Sequence, residues 1–86
     1  MKAIIESAGK VASRVREARW HPSETVAEEA DGSLTWRATV AGPIEIRLWI
    51  LSWGDNVEVL EPAALREDVA GTHVRAAARY AAAAPA

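Results

Sequence analysis

Cysteine is missing from this 86-residue sequence, and its absence excludes a whole group of functions. Without a thiol there is no disulfide, no thiolate nucleophile and no cysteine-ligated zinc site. An excess of positive charge is missing too, because ten lysines and arginines stand against twelve acidic residues, for a formal net charge of −2. A chain with this balance has no general attraction for the phosphate backbone of nucleic acids.

Long apolar runs are also absent. The short run Ala3–Ile5 cannot serve as the apolar core of a signal peptide, and no stretch is long enough to span a bilayer. We therefore expect a cytoplasmic protein that makes no membrane contact. Phenylalanine is absent as well, whereas four tryptophans are present. In a chain this short, those large side chains dominate the core.

The order of apolar and turn-forming residues predicts an α+β fold with a four-stranded antiparallel sheet. The predicted elements are a strand at 3–5, a helix at 10–19, strands at 24–30 and 33–40, a helix at 43–53, a strand at 57–60 and a helix from 63 to about 82. This is the ferredoxin-like order β-α-β-β-α-β with an added C-terminal helix. We expect one domain over residues 1–80 and a disordered or frayed alanine-rich tail over 81–86.

The two central strands are predicted to form a hairpin in a particular register. Alternate residues of the second strand are apolar, with Trp36 among them. A three-residue loop, Ala30-Asp31-Gly32, places glycine at the left-handed position and puts Val26 opposite Trp36. A two-residue loop would put Val26 opposite Arg37. We predict the first register, because it buries the apolar pair together and makes Trp36 a core anchor.

The predicted helix at 43–53 is apolar on nearly every side. One stripe at helical spacing consists of Ile46, Trp49, Ile50 and Trp53, and the opposite stripe consists of Ile44, Leu48 and Leu51. A small domain cannot cover both stripes by itself. The second stripe therefore predicts a contact surface, used by a second copy in a homodimer or by a neighbouring domain of the parent protein. The second stripe would need no such partner if the C-terminal helix folded over it.

Residues that carry chemistry show no recognisable pattern. His21 and His73 are far apart in the sequence, and neither has an acidic residue at metal-ligand spacing. No serine lies in a nucleophile elbow, and no phosphate loop, dinucleotide fingerprint or metal-binding helix motif occurs. We predict that the domain is not an enzyme and uses no cofactor and no metal.

A basic cluster near Trp20 allows a second class of function. Arg14, Arg16 and Arg19 could meet a phosphate group while a base stacks on the tryptophan. The plainer interpretation is a solvated helix face with Trp20 packed at its end. The alternative function is therefore a small-ligand or single-stranded nucleic-acid sensor that uses the open sheet face. The residues proposed for that face are Thr25, Thr35, Arg37 and Thr39, with the three clustered arginines beside them.

Four segments in succession resemble a known family. They are Arg19-Trp20-His21-Pro22-Ser23, Asp31-Gly32-Ser33-Leu34, the run from Leu48 to Gly54, and the run from Val57 to Pro62. Their order and spacing resemble the C-terminal extension, called WCX, of WYL-domain bacterial transcription regulators. The resemblance covers roughly Ile4 to Tyr80. Ile44 and Leu48 depart from it, because those positions are more often polar in the family.

The resemblance implies a ferredoxin-like domain that follows a helix-turn-helix and a WYL domain in a longer protein. It also implies a role in effector sensing, dimerisation or relay of a signal to the DNA-binding part. The residues that name the WYL domain are not in this sequence, nor is a helix-turn-helix. The leading prediction is a regulatory and dimerisation domain that acts by protein–protein contact, with itself or a neighbouring WYL domain as partner.

The charge balance leads to a first prediction, that this domain alone does not bind duplex DNA. It has a negative net charge and no recognition helix. Fluorescence anisotropy of a labelled random duplex at physiological salt should show no saturable rise, with a basic helix-turn-helix domain as positive control. Micromolar affinity would contradict the prediction.

Overall fold

The computed structural model describes residues 1–82 and contains four strands and three α-helices. In chain order these are β1 (Lys2–Ser7), α1 (Ala12–Ala18), β2 (Thr25–Glu28), β3 (Leu34–Thr39), α2 (Pro43–Ser52), β4 (Val57–Glu61) and α3 (Ala63–Ala82). Short 3-10 turns precede α1, at Gly9–Val11, and β4, at Gly54–Asn56. The predicted α+β class is confirmed.

All four strands belong to one antiparallel sheet with the order β2-β3-β1-β4. One face of the sheet carries the core, since residues at alternate positions of β1 and β3 are buried there. Val11 and Val15 on the α1 side and Ile46 and Ile50 on α2 complete the same buried cluster. The opposite face is open and carries most of the charged strand residues.

The β2–β3 hairpin has the predicted register, with Val26 opposite Trp36. Gly32 has φ 88°, the left-handed conformation that the three-residue loop requires. The Asp31 carboxylate accepts hydrogen bonds from the Ser33 backbone N–H at 2.9 Å and from its hydroxyl at 2.6 Å. The Asp31 hydrogen bonds and the left-handed Gly32 therefore both favour this three-residue turn. The turn in turn sets which residues of β3 face the core.

A cluster of all four tryptophans joins the helices to the sheet. Trp36 on β3 is fully buried at its centre, with ring centroids 4.9 Å from Trp49 and 6.2 Å from Trp20. Trp20 and Trp49 stack at 5.1 Å with their planes 16° apart, and Trp53 meets Trp49 edge-on at 6.0 Å. Arg19, at φ 44°, ends α1 and precedes Trp20. The cluster therefore ties the end of α1 to β3 and to α2.

Helix α3 contacts the core through its first half only. Leu65 and Val69 are buried, whereas Ala76 and Tyr80 are exposed. The reason is length, because a 20-residue helix is about 30 Å long and extends past the sheet. α3 continues to Ala82, and the rest of the predicted tail, 83–86, lies outside the described residues.

The central position of Trp36 predicts a large loss of stability on truncation. Trp36→Ala should lower the free energy of unfolding by about 3–5 kcal/mol, since it leaves a cavity under α1 and α2. A loss of that size is comparable to the whole stability of a small domain. Urea unfolding followed by far-UV circular dichroism measures it. Val74→Ala is the control, because Val74 is 69% exposed and should change little. Equal effects for the two variants would contradict the assignment.

The hairpin turn predicts a pH-dependent contribution from Asp31. The Ser33 hydroxyl, and then the Ser33 N–H, hold the pKa of this carboxyl below its ordinary value. Such a group stabilises the fold above its unfolded-state pKa and loses that effect as the pH falls through the folded-state pKa. Asp31→Asn should therefore be less stable than the wild type near neutral pH, with the difference shrinking below about pH 4. Urea unfolding of both proteins at stepped pH checks this, and a pH-independent difference would contradict it.

Candidate interaction surfaces

The inward side of α2 is fixed by two isoleucines and two tryptophans. Ile46 and Ile50 are fully buried, and Trp49 and Trp53 are half-buried against the core. The four residues are those of the predicted core stripe. Because they share one side of the helix, their packing sets the rotation of α2 about its own axis.

The outward side of α2 carries two exposed apolar side chains. Ile44 is 83% exposed and Leu48 is 67% exposed, and the two are one helical turn apart on the same face. We call this pair the α2 outer face. Leu51, the third residue of the predicted stripe, is instead half-buried and packs against the core. Its predicted place in an exposed surface was therefore only partly right.

Helix α3 packs beside α2 through a polar clamp centred on Arg47. The Arg47 Nε atom lies 2.7 Å from the Asp68 Oδ2 atom, and its Nη2 atom donates to the Thr72 hydroxyl at 2.8 Å. Sequence reasoning missed this contact, although Asp68 and Thr72 are four residues apart and so share one helix face. The clamp holds α3 against one flank of α2 and leaves Ile44 and Leu48 uncovered.

The arginines of the predicted effector site are divided between two faces of the domain. Arg14, Arg16 and Arg19 lie on or at the end of α1, on the helix side of the sheet, and all three are exposed. Arg16 forms an ion pair with Glu28 of β2 at 2.5 Å. Arg37 lies on β3 with its side chain on the open sheet face, opposite Thr25 in the register. The structure therefore does not bring the four arginines together.

A shallow depression on the open sheet face is lined by Lys2, Ser23, Thr25, Arg37, Ala38 and Thr39. The Ser23 hydroxyl is occupied at the end of the hairpin, where it accepts from the Thr39 N–H at 2.9 Å and donates to the Thr39 carbonyl at 3.1 Å. Thr35, the fourth predicted residue, is buried and donates to Glu29 at 2.9 Å. Part of the predicted polar surface therefore serves the hairpin itself.

The two histidines lie at opposite edges of the sheet. His21 precedes β2, and its Nδ1 atom is 2.9 Å from the Ser23 hydroxyl. His73 is half-buried on α3 and lines a small apolar pocket against Val57 and Val59 of β4. Within residues 1–82 no group of three or more His, Asp or Glu side chains could hold a metal ion. No helix in that range is long and apolar enough to cross a membrane.

These observations define a small α+β domain whose distinctive features are surfaces rather than a cleft. A tryptophan cluster supports it, and an apolar helix face is left open to solvent. Residues 1–77 match the profile of the WCX domain, and the chain belongs to the WCX domain family. Membership supports a regulatory role at a coarse level. No curated protein matches the chain.

Proposed function

We propose that this chain is the regulatory and dimerisation domain of a bacterial, cytoplasmic WYL-type transcription regulator. It acts by protein–protein contact and relays a signal to the DNA-binding part of the parent protein. The order of elements and the strand order β2-β3-β1-β4 support a ferredoxin-like assignment within this proposal. Because a fold of this type hosts many functions, the proposed function rests on the exposed surface of the domain and not on its fold.

The observation that carries the proposal is the exposure of Ile44 and Leu48. Two large aliphatic side chains at adjacent turns give a local apolar patch, and α3 covers only the neighbouring flank of α2. Burying such a side chain fully contributes about 1.5–3 kcal/mol. A partner that covers Ile44 and Leu48 would explain why the domain keeps this apolar pair on its surface.

A second copy of the chain is the partner that we propose for the α2 outer face. In a twofold dimer the same patch is used by both chains, so four large aliphatic side chains are covered at once. Their combined transfer energy is of the same order as the association cost of about 4–15 kcal/mol. We therefore expect a dimer of the isolated domain that is weak but measurable at high micromolar concentration.

An enzymatic role has little support, and we propose none. His21 is held by Ser23 at one edge of the sheet, while His73 lies against β4 beyond the other. The effector-sensing alternative is also less well supported, because its predicted cations are divided between two faces. Arg16 is in addition paired with Glu28.

The proposal predicts that Leu48→Asp abolishes self-association and leaves the fold intact. Leu48 is exposed, so a charge there meets water in the monomer but would be buried without a partner in the dimer. Light scattering after size exclusion, at a series of concentrations into the high micromolar range, measures the mass. The wild type should move from monomer toward dimer, whereas the variant should stay monomeric.

The matched control is Val74→Asp, which places the same charge on an exposed apolar position of α3. It should dimerise as the wild type does. Circular dichroism and thermal melting of all three proteins show that they are folded. A wild type that stays monomeric at the highest concentration would contradict the proposed self-association. A Leu48→Asp variant that dimerises normally shows that the interface is elsewhere.

A further inference from the structure

The two edges of the sheet differ in how they are protected. At β4, helix α3 lies alongside the strand, and the Arg66 Nη1 atom donates to the Val59 carbonyl at 2.8 Å. At β2, no strand or helix within residues 1–82 pairs with the outer side of the strand. The sheet therefore has one covered edge and one open edge.

The open edge presents a defined set of backbone groups. At one end of the hairpin, the Glu29 N–H donates to the Ser33 carbonyl. At the other end, the Ser23 hydroxyl bonds both backbone groups of Thr39. Residues of an antiparallel pair face their partner strand alternately, so Thr25 and Ala27 bond to β3 while Val26 and Glu28 point their N–H and C=O groups outward.

Strand β2 lacks most of the devices that block strand addition. Natural edge strands are commonly protected by being very short, by charged side chains, by proline or by a bulge. The sequence of β2 is Thr-Val-Ala-Glu, and its pairing with β3 is regular. Its one charged residue, Glu28, is held by Arg16 of the same chain. The strand is short and carries one charge, but it has no proline, lysine or bulge.

A groove with two arginines and one glutamate in its lining lies beside this edge, on the helix side of the sheet. Its lining residues are Arg16, Arg19, His21, Pro22, Glu24 and Val26. Glu28 is neutralised by Arg16, and the Glu24 carboxylate is held at one end of the groove by the His21 N–H at 2.9 Å. Arg19 is exposed and forms no ion pair within residues 1–82. A negative group entering the groove would therefore find an available cation.

We infer that the outer edge of β2 is a docking site for an extended acidic peptide segment. The segment adds to the sheet as a strand and bonds to the backbone of Val26 and Glu28. Side chains of a strand alternate between faces, so every second residue of the segment points toward the groove. An aspartate or glutamate there lies near Arg19, with Val26 as an apolar floor. This surface is separate from the α2 outer face and does not depend on it.

The test uses the folded domain and a displayed library of random peptides about eight residues long, enough to cover the strand. Selection should enrich acidic residues at alternate positions and deplete proline.

Glu28→Pro removes an outward N–H that β3 does not use, and proline is tolerated on an edge. Binding of the selected peptides, measured by anisotropy, should weaken by at least about tenfold. Glu28→Gln keeps that N–H and frees Arg16 just as Glu28→Pro does, so it is the matched control and should bind at least as tightly as the wild type.

Arg19→Glu tests the charge preference separately. It should weaken the selected acidic peptides and favour variants in which lysine replaces the acidic residues. Thermal melting confirms that each variant is folded. The inference is overturned if no peptide is enriched above the Glu28→Pro background, or if Glu28→Pro binds the selected peptides as well as Glu28→Gln. It is also overturned if Glu28→Pro, and not Leu48→Asp, abolishes self-association, because the edge then pairs with a second copy.

Discussion

The packing of tryptophan rings around Trp36 is the constraint on which the rest of the domain depends. Trp36 is held in place by β3, and it contacts Trp20 at the end of α1 and Trp49 on α2. Large rigid rings in contact cannot rotate without opening a cavity, so the two helices take fixed positions over the sheet. In a chain of 86 residues, these contacts take the place of the larger apolar core that a longer domain would have.

The outer surfaces follow from that constraint. With Ile46 and Ile50 held inward and Trp49 against the rings, Ile44 and Leu48 have no direction left except toward solvent. The Arg47 clamp then fixes α3 on the neighbouring flank of α2, on the same side as the covered β4 edge. The opposite edge, at β2, is left open. The domain therefore has the two separate surfaces that we propose as partner sites, one helical and one extended.

Sequence periodicity predicted the parts of this arrangement that local chemistry controls. The turn residues before Ser33 set the hairpin register, and the two stripes of α2 separated the buried isoleucines from Ile44 and Leu48. Contacts between distant elements were not predictable in the same way. Leu51 packs against the core, and His73 lies against β4 because of where α3 packs, which involves buried Leu65 and Val69 and a clamp between residues 21 or more apart. The separation of Arg37 from Arg16 follows from the alternation of β3, which places Arg37 on the sheet face opposite Trp36 and the helices.

The central claim is that the α2 outer face is the contact surface of the domain. Nuclear magnetic resonance of the backbone amides as a function of concentration tests it residue by residue, without any substitution. The account predicts that amides at 44–48 shift progressively as the concentration rises, while those of α3 beyond Val74 stay constant. Spectra that do not change with concentration, or shifts confined to another element, would contradict it.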